Sequence, residues 1–229
     1  ILKIIAGIIF LGIGLFFAFR IFQQNSLDDP ELEQLQQSLV SEPKVSGEFL
    51  AADQAEYLER FEAVINKLRN EDFENLKDLE ELAQIKKFLG DLQGAADAWV
   101  YMGRLRPKNG FSFASLGLLY HHDLKKYDLA EKYYLTALAN DPEDAQTIRN
   151  LFELYHRALN DRVKAEAFLQ KSIEADPRSA DLYLLGGSFY SELGKNNKAL
   201  EFYSKYLDLH PNNGNVSKEV IRLKAELGQ

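Results

Sequence analysis

Three of the four histidines, His121, His122 and His156, fall at matching ends of successive predicted helices. Imidazoles so placed raise the question of a metal site, which needs three or four ligands converging on one point. Neighbouring residues on an α-helix diverge by about 100°. A shared shell would therefore take one of His121 and His122, together with His156 and a carboxylate, and no further ligand stands at diagnostic spacing. Cysteine is absent, so neither a thiolate nucleophile nor a thiolate ligand is available. The sequence holds no HExxH, no phosphate-binding glycine loop and no GxSxG. "LLGGSFY" places two glycines before Ser188, but inside a predicted helix, where they serve close packing. The carboxylates spread over solvated faces. The expectation is a protein without catalytic, metal or cofactor sites, acting by surface recognition.

The elements that position such a surface begin with composition. The chain has 229 residues, 46% of them apolar, and a formal charge of −8. Lys3 and Arg20 are the only charged residues among the first 22, so the acidity belongs to the rest. An acidic domain repels phosphate backbones, which excludes nucleic acid as a general partner. Residues 1–22, "ILKIIAGIIFLGIGLFFAFRIF", make about 33 Å of helix at roughly 1.5 Å per residue. That length matches a bilayer core, with Lys3 and Arg20 reaching to the two interfaces. No small-x-small cleavage site follows, so the segment reads as a single-span anchor, with Gly14 and Ala18 as a minor packing feature. After Arg20 the next basic residue is Lys44, while Asp28, Asp29, Glu31, Glu33 and Glu42 intervene. This asymmetry puts the remaining domain outside the cytoplasm, as expected of a single-pass protein of a bacterial inner membrane. The chain starts at Ile1 and its one methionine is Met102, which reads as a processed or trimmed start.

Residues 23–47 form a linker with a short helix. Pro30 suits a helix start with Ser26 or Asp28 as cap, Leu32, Leu35 and Leu39 share a face, and Pro43 and Gly47 close it. It serves as spacer or docking element. Residues 48–72 carry Phe49, Leu50, Tyr57, Leu58, Phe61, Val64, Ile65 and Leu68. From Tyr57 these follow helical spacing and predict a long helix packed on its successor.

Residues 73–211 repeat. An alanine stands twelve residues before a proline four times: Ala95 and Pro107, Ala130 and Pro142, Ala165 and Pro177, Ala199 and Pro211. Four residues after each alanine comes Trp99, Tyr134, Leu169 or Tyr203, on the same helical face. The proline ends the helix. Upstream, Phe113, Leu116, Gly117 and Tyr120 keep the spacing of one helical face, as do Ile148, Leu151, Phe152 and Tyr155, and Tyr183, Gly186, Gly187 and Tyr190. Each copy is thus a helix, a turn and a second helix, and only stacking buries its apolar face. Residues 212–229 supply a closing helix with a polar outer side.

This pattern resembles the tetratricopeptide repeat (TPR) family, with its W-x2-L-G-x2-Y…A-x3-F…P signature, over about residues 74–211. The fourth copy fits in length. The second and third carry one extra residue between their helices. The first is degenerate, with Lys86 where an aromatic usually stands. Phe152 replaces a small residue, so the third copy's helices are expected to splay, and Tyr206 likewise replaces one in the fourth copy. The resemblance implies an all-α chain: one transmembrane helix, then a right-handed TPR-like α-solenoid of about four helix-turn-helix repeats with a C-terminal capping helix. It also implies a concave groove lined by first helices. Groove-facing positions are then Phe111, Ala114, Leu118, His121 and His122 in the second copy. In the third they are Gln146, Arg149, Glu153, His156 and Arg157, and in the fourth Asp181, Leu184, Ser188 and Ser191. Lys77, Glu80 and Gln84 hold these places in the first. The histidines become polar groove residues.

One branch of the family clamps the carboxyl end of chaperones with Lys and Asn. Glu80, Gln84, Ala114 and Leu118 occupy those places here, so chaperone-tail binding is not expected. Arg149 and Arg157 either meet a partner's carboxylate or neutralise Glu153 and its neighbours. The expected function is a membrane-anchored scaffold that binds other proteins in assembly of a membrane or envelope complex. Its partners would be protein segments in the groove and the bilayer through residues 1–22, and a homo-oligomer is compatible with this. The alternative is a pilin-like filament subunit assembled through its N-terminal hydrophobic helix. Ile5, where pilins usually carry glutamate, and the early Pro30 speak against that alternative.

Overall fold

A computed structural model describes residues 30–47 and 51–229. The expected membrane span, its Gly14 and Ala18, the caps Ser26 and Asp28, and Phe49 and Leu50 lie outside the described residues. Among the described residues no helix is long and apolar enough to cross a membrane. These residues form eleven α-helices and no strand. They are α1 (Pro30–Val40), α2 (Ala51–Asn70), α3 (Leu76–Phe88), α4 (Leu92–Leu105), α5 (Gly110–Leu118), α6 (Tyr127–Asn140), α7 (Ala145–Glu153), α8 (Arg162–Ala175), α9 (Ala180–Glu192), α10 (Asn196–Leu209) and α11 (Gly214–Glu226). The chain divides into two compact units, one ending at Leu116 and one from Gly117 to Gln229.

In the first unit the long helix α2 buries Phe61, Val64, Ile65 and Leu68, the stripe its spacing predicts. Tyr57 stacks on Phe88 with ring centroids 3.7 Å apart. Short helix α1 is a docking element, not a spacer. It packs on α4, buries Leu39 completely and ends at Val40, ahead of Pro43. Ser38 bonds Asp97, and Glu31 pairs with Arg104. The degenerate position Lys86 explains this docking. Its side chain is fully buried, and Nζ donates to the carbonyls of Ser38 at 3.2 Å and Ser41 at 3.0 Å. Asp91 Oδ2 stands 3.4 Å away, and the Phe61 ring faces the ammonium at 5.3 Å. A charge out of water costs several kcal/mol unless paired and hydrogen-bonded, and these groups supply the compensation. Burial still lowers the Lys86 pKa, with Asp91 opposing.

Four turns between first and second helices put a residue in the left-handed region: Gly90 (φ 84°), Lys125 (φ 53°), Asn160 (φ 50°) and Gly194 (φ 67°). In the first and fourth copies this residue comes four places after Lys86 and Tyr190. In the second and third it comes five places after Tyr120 and Tyr155. That is the extra residue of the sequence, and the helix takes it up by widening. α5 continues as a π-helical turn over Leu119–Asp123, and α7 over Leu154–Ala158. There Leu124 N–H reaches the Leu119 carbonyl, and Leu159 N–H the Leu154 carbonyl, five residues back. At the fourth copy Leu193 N–H instead reaches Phe189, four residues back.

A Cβ on Gly117 would lie 2.4 Å from Tyr134, and one on Gly187 2.4 Å from Tyr203, so these positions admit glycine only. Phe152 fills the equivalent place in the third copy, where it is buried against Phe189. Helices α3 with α4 and α9 with α10 pack closely, while in the two copies with a π-helical turn the pairs α5 with α6 and α7 with α8 approach each other less.

Lys86→Ala takes the ammonium away from the Ser41 carbonyl and from Asp91 Oδ2, while the Ser38 carbonyl keeps the Ser41 N–H and hydroxyl. It should lower unfolding free energy by about 3–5 kcal/mol in urea titrations and expose α1 to protease. Lys125→Gly relieves a left-handed strain of roughly 1–2 kcal/mol and should raise Tm.

Candidate functional site

The face offered by α7 and α9 of the second unit is built from alternate use of their sides. Leu151, Phe152, Leu182, Phe189 and Tyr190 turn inward and are buried. The opposite positions remain open: Gln146, Asp181 and Ser188 are exposed, and Arg149, Glu153, Leu184 and Ser191 are half-buried. Of the second-copy positions, Phe111 and Leu118 are exposed at 54% and 38%, His122 is exposed and Ala114 is half-buried. Lys77 and Gln84 are exposed, whereas Glu80 is half-buried and accepts bonds from Trp99 Nε1 at 2.6 Å and Gln84 Nε2 at 2.8 Å. Burial pushes the Glu80 carboxyl up, with those two bonds opposing.

His121 departs from the expected groove position. It is 6% exposed, with Nδ1 3.4 Å from the Tyr134 hydroxyl and Tyr127 edge-on to its ring. The π-helical turn draws the ring inward, and His122 stacks on it at 4.0 Å instead of pointing away. Burial, then His122 and Lys125, lower the His121 pKa to about 4. His156, on the second π-helical turn, packs edge-on against Phe189, and its Nε2 lies 2.8 Å from Glu192. Its buried Nδ1 has no hydrogen-bond partner among the described residues. Arg157 pairs with the same Glu192 at 3.3 Å. The His156 bond, helped by Arg157, holds the Glu192 carboxyl below its usual range. Among the described residues no cluster of three or more metal-ligating side chains occurs.

The two arginines therefore differ. Arg157 is engaged with Glu192. Arg149 has no carboxylate within 4 Å among the described residues, so it does not neutralise Glu153. Arg149 instead lines a cleft of about 450 Å³, walled by Leu135, Leu138, Ile148, Phe168, Leu182 and Leu185. Its opening carries Lys171 and the acids Glu143, Asp176 and Asp181. The cleft opens at the ends of α7 and α8 away from the π-helical turn, and no residue from 150 to 167 lines it. The groove positions did not foretell it, because half its wall comes from the second helices α6 and α8.

A second feature escaped the sequence reading. Tyr155 Oη donates to Glu131 at 2.9 Å, and Lys164 Nζ stands 2.6 Å from that carboxylate and 4.6 Å from the Tyr155 ring centroid. One repeat later, Tyr190 donates to Glu166 at 2.9 Å, with Lys198 at 2.8 Å and over the ring at 4.8 Å. The 35-residue spacing of Glu131 with Glu166, and of Tyr155 with Tyr190, was the available signal.

Residues 112–144 and 168–201 each match a tetratricopeptide repeat family. Human E3 SUMO-protein ligase RanBP2 is 29% identical over 102 residues, which is 44% of this chain and 3% of that protein's length. Two solved structures of MamA are similar in fold. One is a double mutant from RS-1, with 20% identity, covering 82% of this chain and 98% of that one at a TM-score of 0.51. The other is MamA from Desulfovibrio magneticus RS-1, at 17% identity, 81% and 98% coverage and a TM-score of 0.50.

The buried His121 gives the fold a pH dependence. Its folded pKa of about 4 lies below the unfolded value near 6.5, so the unfolded chain binds the proton first. Its contribution is complete above about pH 6.5 and is lost as pH falls toward 4, a difference of about 3 kcal/mol. Urea titrations across that window should show the slope in the native protein and a flatter one in His121→Phe.

Proposed function

We propose that the chain is a membrane-tethered scaffold that binds other proteins through the first-helix face of its repeats during assembly of a membrane or envelope complex. The observation that carries this reading is the open side of α7 and α9, which carries Gln146, Arg149, Glu153, Asp181, Leu184 and Ser188 and on which Arg149 has no ion partner among the described residues. A cation that does nothing for the fold, set among side chains of mixed polarity on rigid helices, is suited to a partner's carboxylate. The tether rests on the apolar run Ile4–Phe19, and the extracytoplasmic placement on the acids that follow Arg20. Recognition of this kind needs neither cofactor nor catalytic group.

The test is the protein composition of the particle released from native membranes by mild detergent. The expected result is a discrete complex containing this chain and other proteins. Filaments of this chain alone would overturn the scaffold and favour the pilin-like alternative. Arg149→Glu should weaken partner capture at least tenfold, about 1.4 kcal/mol, with helicity unchanged by circular dichroism. Arg157→Glu should weaken it less, because that side chain is engaged with Glu192.

A further inference from the structure

Residues 30–47 cross the first unit as a strap. α1 lies on the second helix α4 and leaves the first-helix positions Lys77 and Gln84 exposed. Beyond α1 the chain passes over the turn between α3 and α4. There the Ser46 N–H donates to the Leu89 carbonyl at 2.9 Å, and the Ser46 hydroxyl to the Gly90 carbonyl at 3.0 Å. A Cβ on Gly90 would stand 2.3 Å from the Ser46 carbonyl oxygen. The equivalent Gly194 has nothing within 4 Å, and Lys125 and Asn160 carry full side chains in the same left-handed conformation. The first turn is thus shaped by what crosses it.

The contacts that hold the strap are mostly polar. Leu39 is completely buried and Pro43 is buried, while Leu32, Leu35 and Val40 are half-buried. Glu31 pairs with Arg104, and Ser38 bonds Asp97. Lys86 brings its ammonium to the carbonyl end of α1, the end of a helix that favours a cation. It gives up water to do so, and a buried charge pair gains little beyond that cost. An eleven-residue helix does not hold its shape alone in water. α1 is therefore either docked and helical or released and unfolded. Polar contacts set the balance between the two, whereas α2, α3 and α4 are held by an apolar core.

We infer that residues 30–47 are a detachable strap, latched by Lys86 and Ser46, which opens as one piece while α2, α3 and α4 stay folded. Docked, it fixes Pro30 on the first unit. Released, its eighteen residues become a leash with an r.m.s. span of about 25 Å. The opening itself goes beyond the scaffold reading and does not need it. Use of the leash to vary how far the repeats reach from a membrane rests on the tether in that reading.

Native-state hydrogen exchange on the full chain in mild detergent, read by mass spectrometry, tests the strap. Amides of residues 33–40 should exchange at least tenfold faster than those of α3 and α4, at a rate that low urea leaves unchanged. Lys86→Met combined with Asp91→Asn removes the buried charge without leaving a carboxylate unpaired. It should quicken exchange in α1 at least tenfold more, with α3 and α4 as protected as before. Gly90→Asn keeps the turn, as Asn160 does in the third copy, and obstructs Ser46. It should act on α1 in the same way. Exchange of α1 in step with α3 and α4, or an α1 that keeps its protection in both variants, would overturn the inference. So would equal losses of protection in α1, α3 and α4, which is what a purely structural Lys86 gives. None of these readouts involves a partner, so the scaffold reading stands or falls separately, by the composition of the particle released from native membranes.

Discussion

Every copy in this chain must reverse direction at one residue with positive φ and bring its second helix back against its first. Where that turn comes four places after Lys86 or Tyr190, an ordinary α-helix reaches it. Where it comes five places after, the helix can neither drop the extra residue nor rotate its buried face outward. It widens into a π-helical turn, as such turns commonly do when one residue is inserted into a helix. The cost is confined to one turn, and the face packed against the second helix keeps its register. The buried His121 and the His156 and Arg157 contacts with Glu192 sit at or beside these turns.

Charge in the second unit falls into two groups. Glu131, Glu166 and Glu192 are committed to neighbours across successive repeats, through tyrosine hydroxyls, lysines, His156 and Arg157. These contacts are largely at the surface, where an isolated ion pair contributes at most about 1 kcal/mol. Their value is directional, since each fixes how one repeat meets the next. Arg149 and Lys171 belong to the other group, beside an apolar wall the fold leaves open. The two groups differ in whether the fold itself supplies their partners, not in residue type.

The repeat was legible because it depends on a few side chains at fixed spacing: the alanine, the bulky residue four places on, and the proline. The single-residue insertions in the second and third copies were legible too, as a length. What they would do was not, because a sequence does not reveal whether an added residue lengthens a loop or widens a helix. Lys86 looked like a lost aromatic. Its partners are carbonyls of Ser38 and Ser41, some 45 residues earlier, and no local pattern points to them. Arg149 and Arg157, alike in sequence, were separated by where Glu192 stands, a fact of tertiary packing. The cleft draws on four helices, so no one segment announces it.

The glutamate–tyrosine–lysine contact has a consequence for how such a chain can change length. Its three members come from two adjoining repeats, and the third copy serves as both receiver and donor: Tyr155 and Lys164 meet the glutamate before them, while Glu166 meets the pair that follows. The second copy keeps Tyr120 but has Leu129 where the lysine would stand, and the fourth lacks the donating half, with Leu200 after its alanine. Tandem duplication of the third copy would join to itself and to both neighbours with every contact matched. Duplicating the second copy would set a glutamate against a tyrosine without its lysine, and duplicating the fourth would set a tyrosine and a lysine against Leu200. The array is a sentence that grows only from its middle word.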